Sequence, residues 1–138
     1  MARIMAIDYG SKRVGIAVTD NLQIISTGLK TVETKDIFKF LEEYFKKEEV
    51  ETIVVGEPKH LDNTPAQAEA IILPFVKKLS EKFKDKKIER FDERFTSKMA
   101  FQTMIDSGLK KMQRRNKALI DEISAVIILQ SYMESRKR

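Results

Sequence analysis

Apolar residues recur along the chain with two different periods, and the first segments have the period of strands. Arg3–Tyr9 contains a continuous apolar run, and Arg13–Asp20 alternates larger apolar residues with small ones. The tight turn Gly10-Ser11-Lys12 between them indicates a hairpin. Ile24–Val32 is a third antiparallel strand in this interpretation, so the pattern predicts that the fold begins with a meander.

From Asp36 onward the apolar residues are spaced by three and four positions, which is typical of amphipathic helices. Thr34 is the expected N-cap of the first helix, and Pro74 should kink or divide the second. Short apolar runs between the helices predict two further strands. In chain order these elements are the helix Asp36–Lys47, the strand Glu51–Gly56, the helix Ala66–Phe83, the strand Lys87–Asp92, and the helices Thr96–Ser107 and Asn116–Glu134.

The predicted element order is β-β-β-α-β-α-β-α-α, in which the later strands alternate with helices. Such an order favours an α/β protein with a mixed five-stranded sheet flanked by helices. The length of 138 residues suits a single domain that covers residues 1–138.

Composition narrows the chemistry that the chain can carry. It has no cysteine and a single histidine, His60, which argues against a thiolate zinc site, a thiol nucleophile and a histidine-based metal site. No apolar stretch reaches the roughly 18 residues of a transmembrane helix, and the N-terminus lacks a signal-peptide pattern. We therefore expect a cytoplasmic protein. The net charge of +5 favours a polyanionic partner, although a lysine-rich surface that serves solubility explains it equally well.

Three acidic residues stand where an α/β sheet presents ligand sites. Asp8 ends the first strand at a glycine turn, Glu93 follows the strand Lys87–Asp92, and Asp121 lies in the last helix. Each acid also has a purely structural interpretation. Asp8 can be a turn residue, Glu93 can be an acid beside a helix N-terminus, and Asp121 can be solvated.

Taken together, the three acids predict a site for Mg²⁺ or Mn²⁺. Magnesium prefers oxygen ligands and retains several waters, so a few carboxylates suffice. Two such ions can activate a water and stabilise the leaving oxygen of a phosphodiester. Phe91 and Phe95 flank Asp92-Glu93-Arg94 and are expected to anchor that turn in apolar surroundings.

Four segments carry a resemblance to a known family, and they occur in the family's order over nearly the whole chain. They are Asp8–Asp20, Val54–Pro58, Asp92–Ser97, and Asp121–Ala125 with Ile128–Gln130. They resemble motifs of the YqgF family, also called RuvX. The resemblance implies a ribonuclease H-like fold and an endonuclease linked to maturation of the 5′ end of pre-16S rRNA. Holliday junction resolution is the older proposal for this family.

The resemblance also implies that Asp8, Glu93 and Asp121 are the catalytic and metal-binding acids. The sequence departs from the family pattern at Glu57, where an apolar residue is usual. Glu57 ends the central strand, near the place where related resolvases keep a catalytic glutamate, so it is a candidate fourth metal ligand. Glu93, Asp92 and Glu57 all remain candidates for the second acidic ligand.

Basic residues near these segments are candidate contacts to nucleic acid. Lys12 and Arg13 lie in the first turn beside Asp8, and Arg94 follows Glu93. They would neutralise phosphates without reading bases, whereas a solvated charge run is the alternative. A second basic cluster lies between the last two helices and comprises Lys110, Lys111, Arg114, Arg115 and Lys117.

Two other functions stay open at this point. A non-catalytic nucleic-acid-binding module would need the basic residues but not the acids. An ATP-binding protein of the actin-like or sugar-kinase-like kind also begins with an Asp-x-Gly turn, but it normally needs two such domains. We favour pre-16S rRNA as the partner, with branched DNA as the alternative. A monomer or a weak homodimer is expected, since an rRNA nuclease can act with one site.

Overall fold

The computed structural model of the protein describes residues 2–60, 62, 64, 66–95 and 117–136. These residues form five strands, three α-helices and two short 3₁₀ turns. In chain order the elements are β1 (Arg3–Tyr9), β2 (Arg13–Thr19), β3 (Ser26–Glu33), a 3₁₀ turn (Thr34–Asp36), α1 (Ile37–Lys47), β4 (Val50–Glu57), α2 (Glu69–Lys82), β5 (Lys87–Asp92), a second 3₁₀ turn (Glu93–Phe95) and α3 (Lys117–Arg136).

The strands form one mixed sheet in the order β3-β2-β1-β4-β5. β1, β2 and β3 pair antiparallel, as expected for a meander, whereas β1 pairs with β4 and β4 with β5 in parallel. The predicted mixed five-stranded sheet is confirmed. Because β1, β4 and β5 are parallel, their carboxyl ends meet at one edge of the sheet, which is where α/β proteins usually bind ligands.

Successive side chains of each strand point to opposite faces of the sheet, and each face is covered by helices. On one face, α1 and α2 pack with a core that includes Met5, Ile7, Ile16, Ile53, Val55, Leu41, Phe75 and Leu79. On the other face, α3 packs on a smaller core that includes Ile4, Ala6, Ala17, Val54, Phe91, Ala125, Ile128 and Leu129. We call these the α2 face and the α3 face.

The third strand begins at Ser26, so the predicted start at Ile24 is wrong. The backbone N–H groups of Ile24 and Ile25 donate to Asp20 Oδ1 at 2.7 and 2.9 Å. Gln23 has a φ of 57°, so the chain turns through the left-handed region just before these residues. A loop bonded to its own aspartate therefore replaces the first two residues of the predicted strand.

The first helix does not have the predicted N-cap. α1 begins at Ile37 and no side chain caps its N-terminus. The hydroxyl of Thr34 instead donates to the carbonyl oxygen of Gly10 at 2.6 Å. Thr34 thus ties the end of β3 to the β1–β2 turn.

The second helix is shorter than predicted and is not divided. α2 begins at Glu69 instead of Ala66 and continues through Pro74 to Lys82. The predicted helix 96–107 lies outside the described residues. No helix in the described part of the chain is long and apolar enough to cross a membrane.

α3 lies very close to the sheet because glycines face it. A Cβ built at Gly15 in β2 would overlap the backbone carbonyl of Asp121 and lie 3.0 Å from the amide nitrogen of Glu122. A Cβ at Gly28 in β3 would instead meet the side chain of Glu122. The first contact is with backbone that cannot rotate away, whereas the second is with a flexible side chain.

We therefore expect Gly15→Ala to lower the free energy of unfolding by about 3 kcal/mol, the upper part of the usual cost of overpacking. Gly28→Ala is the matched control, since Glu122 can change rotamer, and it should cost less than about 1 kcal/mol. Urea denaturation of both variants measures the difference. If the two variants lose equal stability, Gly15 is not required for the close approach of the α3 backbone.

Candidate active site

Asp8 is the one acidic residue of β1 and lies on the α3 face, at the carboxyl end of the strand. Its strand partner across the β1–β2 ladder is Gly15, the residue that α3 covers. Burial raises the pKa of Asp8 to about 6, and the negative charge of Asp121 adds to the rise. The carboxyl group is therefore held in a site with little water and beside a second acid.

Asp121 comes to this place from the first turns of α3. Its backbone carbonyl lies over Gly15, and its carboxylate accepts a hydrogen bond from Arg13 Nε at 2.7 Å. Because Asp8 and Gly15 are paired, the same glycine sets the distance from Asp121 to Asp8. Arg13, predicted as a phosphate contact, is engaged by Asp121 in this structure.

Glu93 follows β5 in the second 3₁₀ turn and leans over the end of β4. A Cβ built on Gly56 would lie 3.2 Å from the Glu93 carboxylate carbon and 3.2 Å from its Oε2, so a glycine at this position leaves room for the acid. Burial raises the pKa of Glu93 to about 7, and the charge of Asp8 contributes next, while Arg90 opposes the rise. Asp8 and Glu93 are thus close enough to repel each other when both are ionised.

The other two candidate acids lie on the opposite face of the sheet. Glu57 pairs with Asp92 in the β4–β5 ladder, and both alternate with the residues that face α3. Glu57 lies 3.5 Å from Lys59, and Asp92 accepts hydrogen bonds from Arg94, which lower the Asp92 pKa. Of the three candidates for the second acidic ligand, the geometry places Glu93 beside Asp8.

The three acids Asp8, Glu93 and Asp121 are near one another but not pre-assembled as metal ligands. In residues 2–60, 62, 64, 66–95 and 117–136, no three acidic or histidine side chains form a group close enough to hold a metal ion. Asp121 is drawn toward Arg13. The donor set nevertheless suits a hard cation, because two half-buried carboxylates repel each other and Mg²⁺ needs only one or two from the protein.

The basic residues predicted to contact nucleic acid are only partly covered by the structure. Lys12 and Arg13 line an open depression of about 470 Å³ beside the β1–β2 turn, together with Lys35. Arg94 is held by Asp92. The cluster of Lys110, Lys111, Arg114 and Arg115 lies outside the described residues. A separate depression of about 550 Å³ between β3 and α1 contains none of the predicted site residues.

The two phenylalanines that flank the Glu93 turn differ in their surroundings. Phe91 is buried in the core under α3, where its ring meets Tyr132 edge-on at 6.4 Å between centroids. Phe95 is 67% exposed. The expectation that both rings anchor the turn is therefore wrong for Phe95. Their four-residue spacing gave no sign of it, because the strand ends between them.

The chain belongs to the RuvX family: the family model "RuvX: Holliday junction resolvase" matches residues 2–135. A protein of Christiangramia forsetii named "Putative pre-16S rRNA nuclease" is 60% identical over 133 residues, which are 96% of this chain and 98% of that protein. A protein of the same name from Flavobacterium johnsoniae is 56% identical over 137 residues, 99% of each chain. The predicted resemblance to the YqgF or RuvX family is confirmed.

A solved structure supports the fold assignment. The chain titled "T. thermophilus RuvC in complex with Holliday junction substrate" matches with a TM-score of 0.62 at 16% sequence identity, over 99% of this chain and 96% of that chain. At this identity the likeness shows the fold alone. The predicted ribonuclease H-like fold is confirmed.

The raised pKa of Asp8 predicts that this acid destabilises the metal-free protein at neutral and alkaline pH. Its pKa rises from 3.8 to about 6 on folding, so the folded state binds more protons between these values. The free energy of unfolding therefore falls as the pH rises through this window. At higher pH the ionised Asp8 carboxylate destabilises the fold by its full amount. We expect Asp8→Asn to be more stable than the wild type at pH 8 in EDTA by about 1–3 kcal/mol, with no difference near pH 3.

Asp20→Asn is the control variant, because its expected effect on stability at pH 8 is opposite to that of Asp8→Asn. Backbone N–H groups of Ile25 and Ile24 lower the pKa of Asp20, so its charge stabilises the fold above the unfolded pKa and this contribution is lost on acidification. That variant should be less stable than the wild type at pH 8. Urea denaturation across the pH range measures the stability of both variants. An Asp8→Asn protein that is less stable than the wild type at pH 8 contradicts the expectation.

Proposed function

We propose that this member of the RuvX family is a divalent-metal-dependent endonuclease that hydrolyses RNA, with the 5′ end of pre-16S rRNA as its substrate. The observation that supports this most directly is the pair of half-buried acids Asp8 and Glu93 at the carboxyl edge of the sheet, where burial raises both pKa values and the charge of Asp8 raises that of Glu93 further. Perturbed pKa values of this kind cluster at catalytic sites. The names of the relatives point to the same substrate.

In this proposal Asp8, Glu93 and Asp121 hold Mg²⁺ or Mn²⁺, and Glu57 is not a ligand. The bound cation would lower the pKa of a coordinated water and offset charge on the phosphate oxygens. Asp8 and Glu93 contribute half-buried carboxylate oxygens, and partial loss of hydration favours their pairing with a cation. Asp121 is kept beside Asp8 by the α3 backbone, and its carboxylate is neutralised by Arg13.

Basic side chains beside the β1–β2 turn support binding to a phosphate backbone. Lys12, Arg13 and Lys35 surround the depression beside the β1–β2 turn, within reach of the end of β1. Their charges do not read sequence, so they would position the backbone while other contacts select the site. Lys110, Lys111, Arg114 and Arg115 are proposed to extend this binding surface.

Cleavage of four-way DNA junctions is the second candidate, favoured by the family's description as a Holliday junction resolvase. A junction resolvase must cut two strands and so needs two sites, whereas one site suffices for an rRNA end. We therefore propose a monomer or a weak homodimer that acts in the cytoplasm, where ribosomal RNA matures. Parallel assays on pre-16S RNA and on four-way junctions distinguish the two substrates.

Cleavage of a pre-16S RNA fragment by purified protein in Mg²⁺ tests the proposal. Asp8→Asn should reduce the rate by about 1,000-fold, because loss of a ligand removes several kcal/mol of transition-state stabilisation. Glu93→Gln should also be severely impaired. Glu57→Gln is the matched control, since Glu57 lies at the same sheet edge on the opposite face, and it should cleave at nearly the wild-type rate.

A second measurement does not depend on cleavage. Mg²⁺ or Mn²⁺ at about 100 times its dissociation constant should stabilise the wild type by about 2.7 kcal/mol, since it binds only the folded state. Asp8→Asn should lose this stabilisation and Glu57→Gln should keep it. Wild-type cleavage that persists in Asp8→Asn would refute the proposed site, and a wild type that never cuts but binds RNA normally would favour a non-catalytic binding module.

A further inference from the structure

Phe95 is a large aromatic side chain with most of its surface exposed, two residues after the proposed ligand Glu93. Phe95 is 67% exposed, although Phe91, four residues earlier, is buried under α3. Phe95 therefore contributes little to the described core. Along the backbone it lies within about 7 Å of Glu93, at the same edge of the sheet as the acids.

A fixed cation accompanies the ring. Asp92 holds the Arg94 guanidinium through three hydrogen bonds, with Nε 3.1 Å from each carboxylate oxygen and Nη2 2.7 Å from Oδ2. The guanidinium carbon lies 5.5 Å from the centroid of the Phe95 ring. The turn thus presents an aromatic ring together with a planar cation whose position is set from the α2 face of the sheet.

This pairing has the chemistry of a nucleobase-stacking site. Protein aromatic rings and guanidinium planes stack on bases that are not already stacked within a duplex. An adjacent cation strengthens contact with an electron-rich base and its phosphate. Bases inside a continuous helix offer no free face, so the ring selects for an unpaired nucleotide.

We propose that Phe95 and Arg94 form a stacking platform for an unpaired nucleobase beside the phosphodiester that the acids cleave. The inference rests on the proposed nuclease function and deepens it by naming the substrate class: RNA with unpaired nucleotides at the cleavage site. Asp92 is a positioning residue in this arrangement, because it acts on the substrate only through Arg94. The platform explains why an apolar ring is exposed at this edge of the sheet.

Binding measurements on two RNA hairpins of the same stem test this inference, one blunt and one with a short single-stranded 5′ extension. All proteins carry Asp8→Asn so that RNA stays intact, and binding is followed by fluorescence anisotropy. The parent protein should prefer the extended hairpin. Phe95→Ala should weaken binding of that hairpin by about 5- to 100-fold and leave the blunt hairpin unchanged, as expected from the loss of one stacked base.

Two further substitutions separate stacking from apolar contact. Phe95→Trp keeps an aromatic face and should retain the preference, whereas Phe95→Leu keeps apolar surface without a ring and should behave like Phe95→Ala. A fluorescent adenine analogue in the extension should be quenched by the parent protein and by Phe95→Trp alone. Because Phe95 is exposed, the melting temperature should not change in any variant, which controls for folding.

The outcomes distinguish this inference from the function on which it rests. If Phe95→Ala binds both hairpins as tightly as the parent, or weakens both equally, the stacking platform is refuted while RNA binding stands. If the parent protein binds neither hairpin, the proposed nuclease function fails together with the platform.

Discussion

The close approach of α3 to β2 at Gly15 is the contact on which the proposed site depends. Gly15 is paired with Asp8 across the β1–β2 ladder and covered by the backbone of Asp121, so one residue without a side chain determines how far apart the two acids lie. The remainder of α3 is fixed farther along by Ala125 and Ile128 in the core and by a hydrogen bond between Tyr132 and Glu89. Packing of apolar surface therefore positions the charged groups.

The proximity of these acids lowers the stability of the fold when they are ionised. Asp8 and Glu93 are half-buried with like charges beside them, and this burial is the larger cause of the rise in both pKa values. Such groups oppose folding when they are ionised, and the apolar cores on both faces of the sheet offset the cost. The Arg13–Asp121 ion pair neutralises Asp121, and Arg90 offsets part of the rise in the Glu93 pKa. A bound cation would relieve the repulsion between the carboxylates of Asp8 and Glu93. The groups that destabilise the metal-free fold are therefore the proposed metal ligands.

Much of this was predictable from the sequence, because it rests on periodicity. The element order, the mixed sheet and the bounds of β1 and β5 follow from apolar spacing and turns, and the family motifs add the acids. The failures arise where local hydrogen bonds compete with the pattern. Asp20 captures the backbone of Ile24 and Ile25 and so delays β3. Exposure of Phe95 could not be read from the chain, because it depends on where the sheet ends and α3 stops covering it.

The positions of Glu57, Asp92 and Glu93 show which structural feature determines the acid that lies beside Asp8. The three side chains carry similar carboxylates, and their residue types give no reason to prefer one. The register of β5 on β4 pairs Glu57 with Asp92 and directs both toward the α2 face, where Lys59 and Arg94 engage them. Glu93, in the 3₁₀ turn that follows β5, lies against Gly56 on the face of Asp8. Since a shift of one residue reverses every side chain of a strand, the strand register, rather than acidity, keeps Glu57 and Asp92 away from Asp8 and directs Asp92 to hold Arg94.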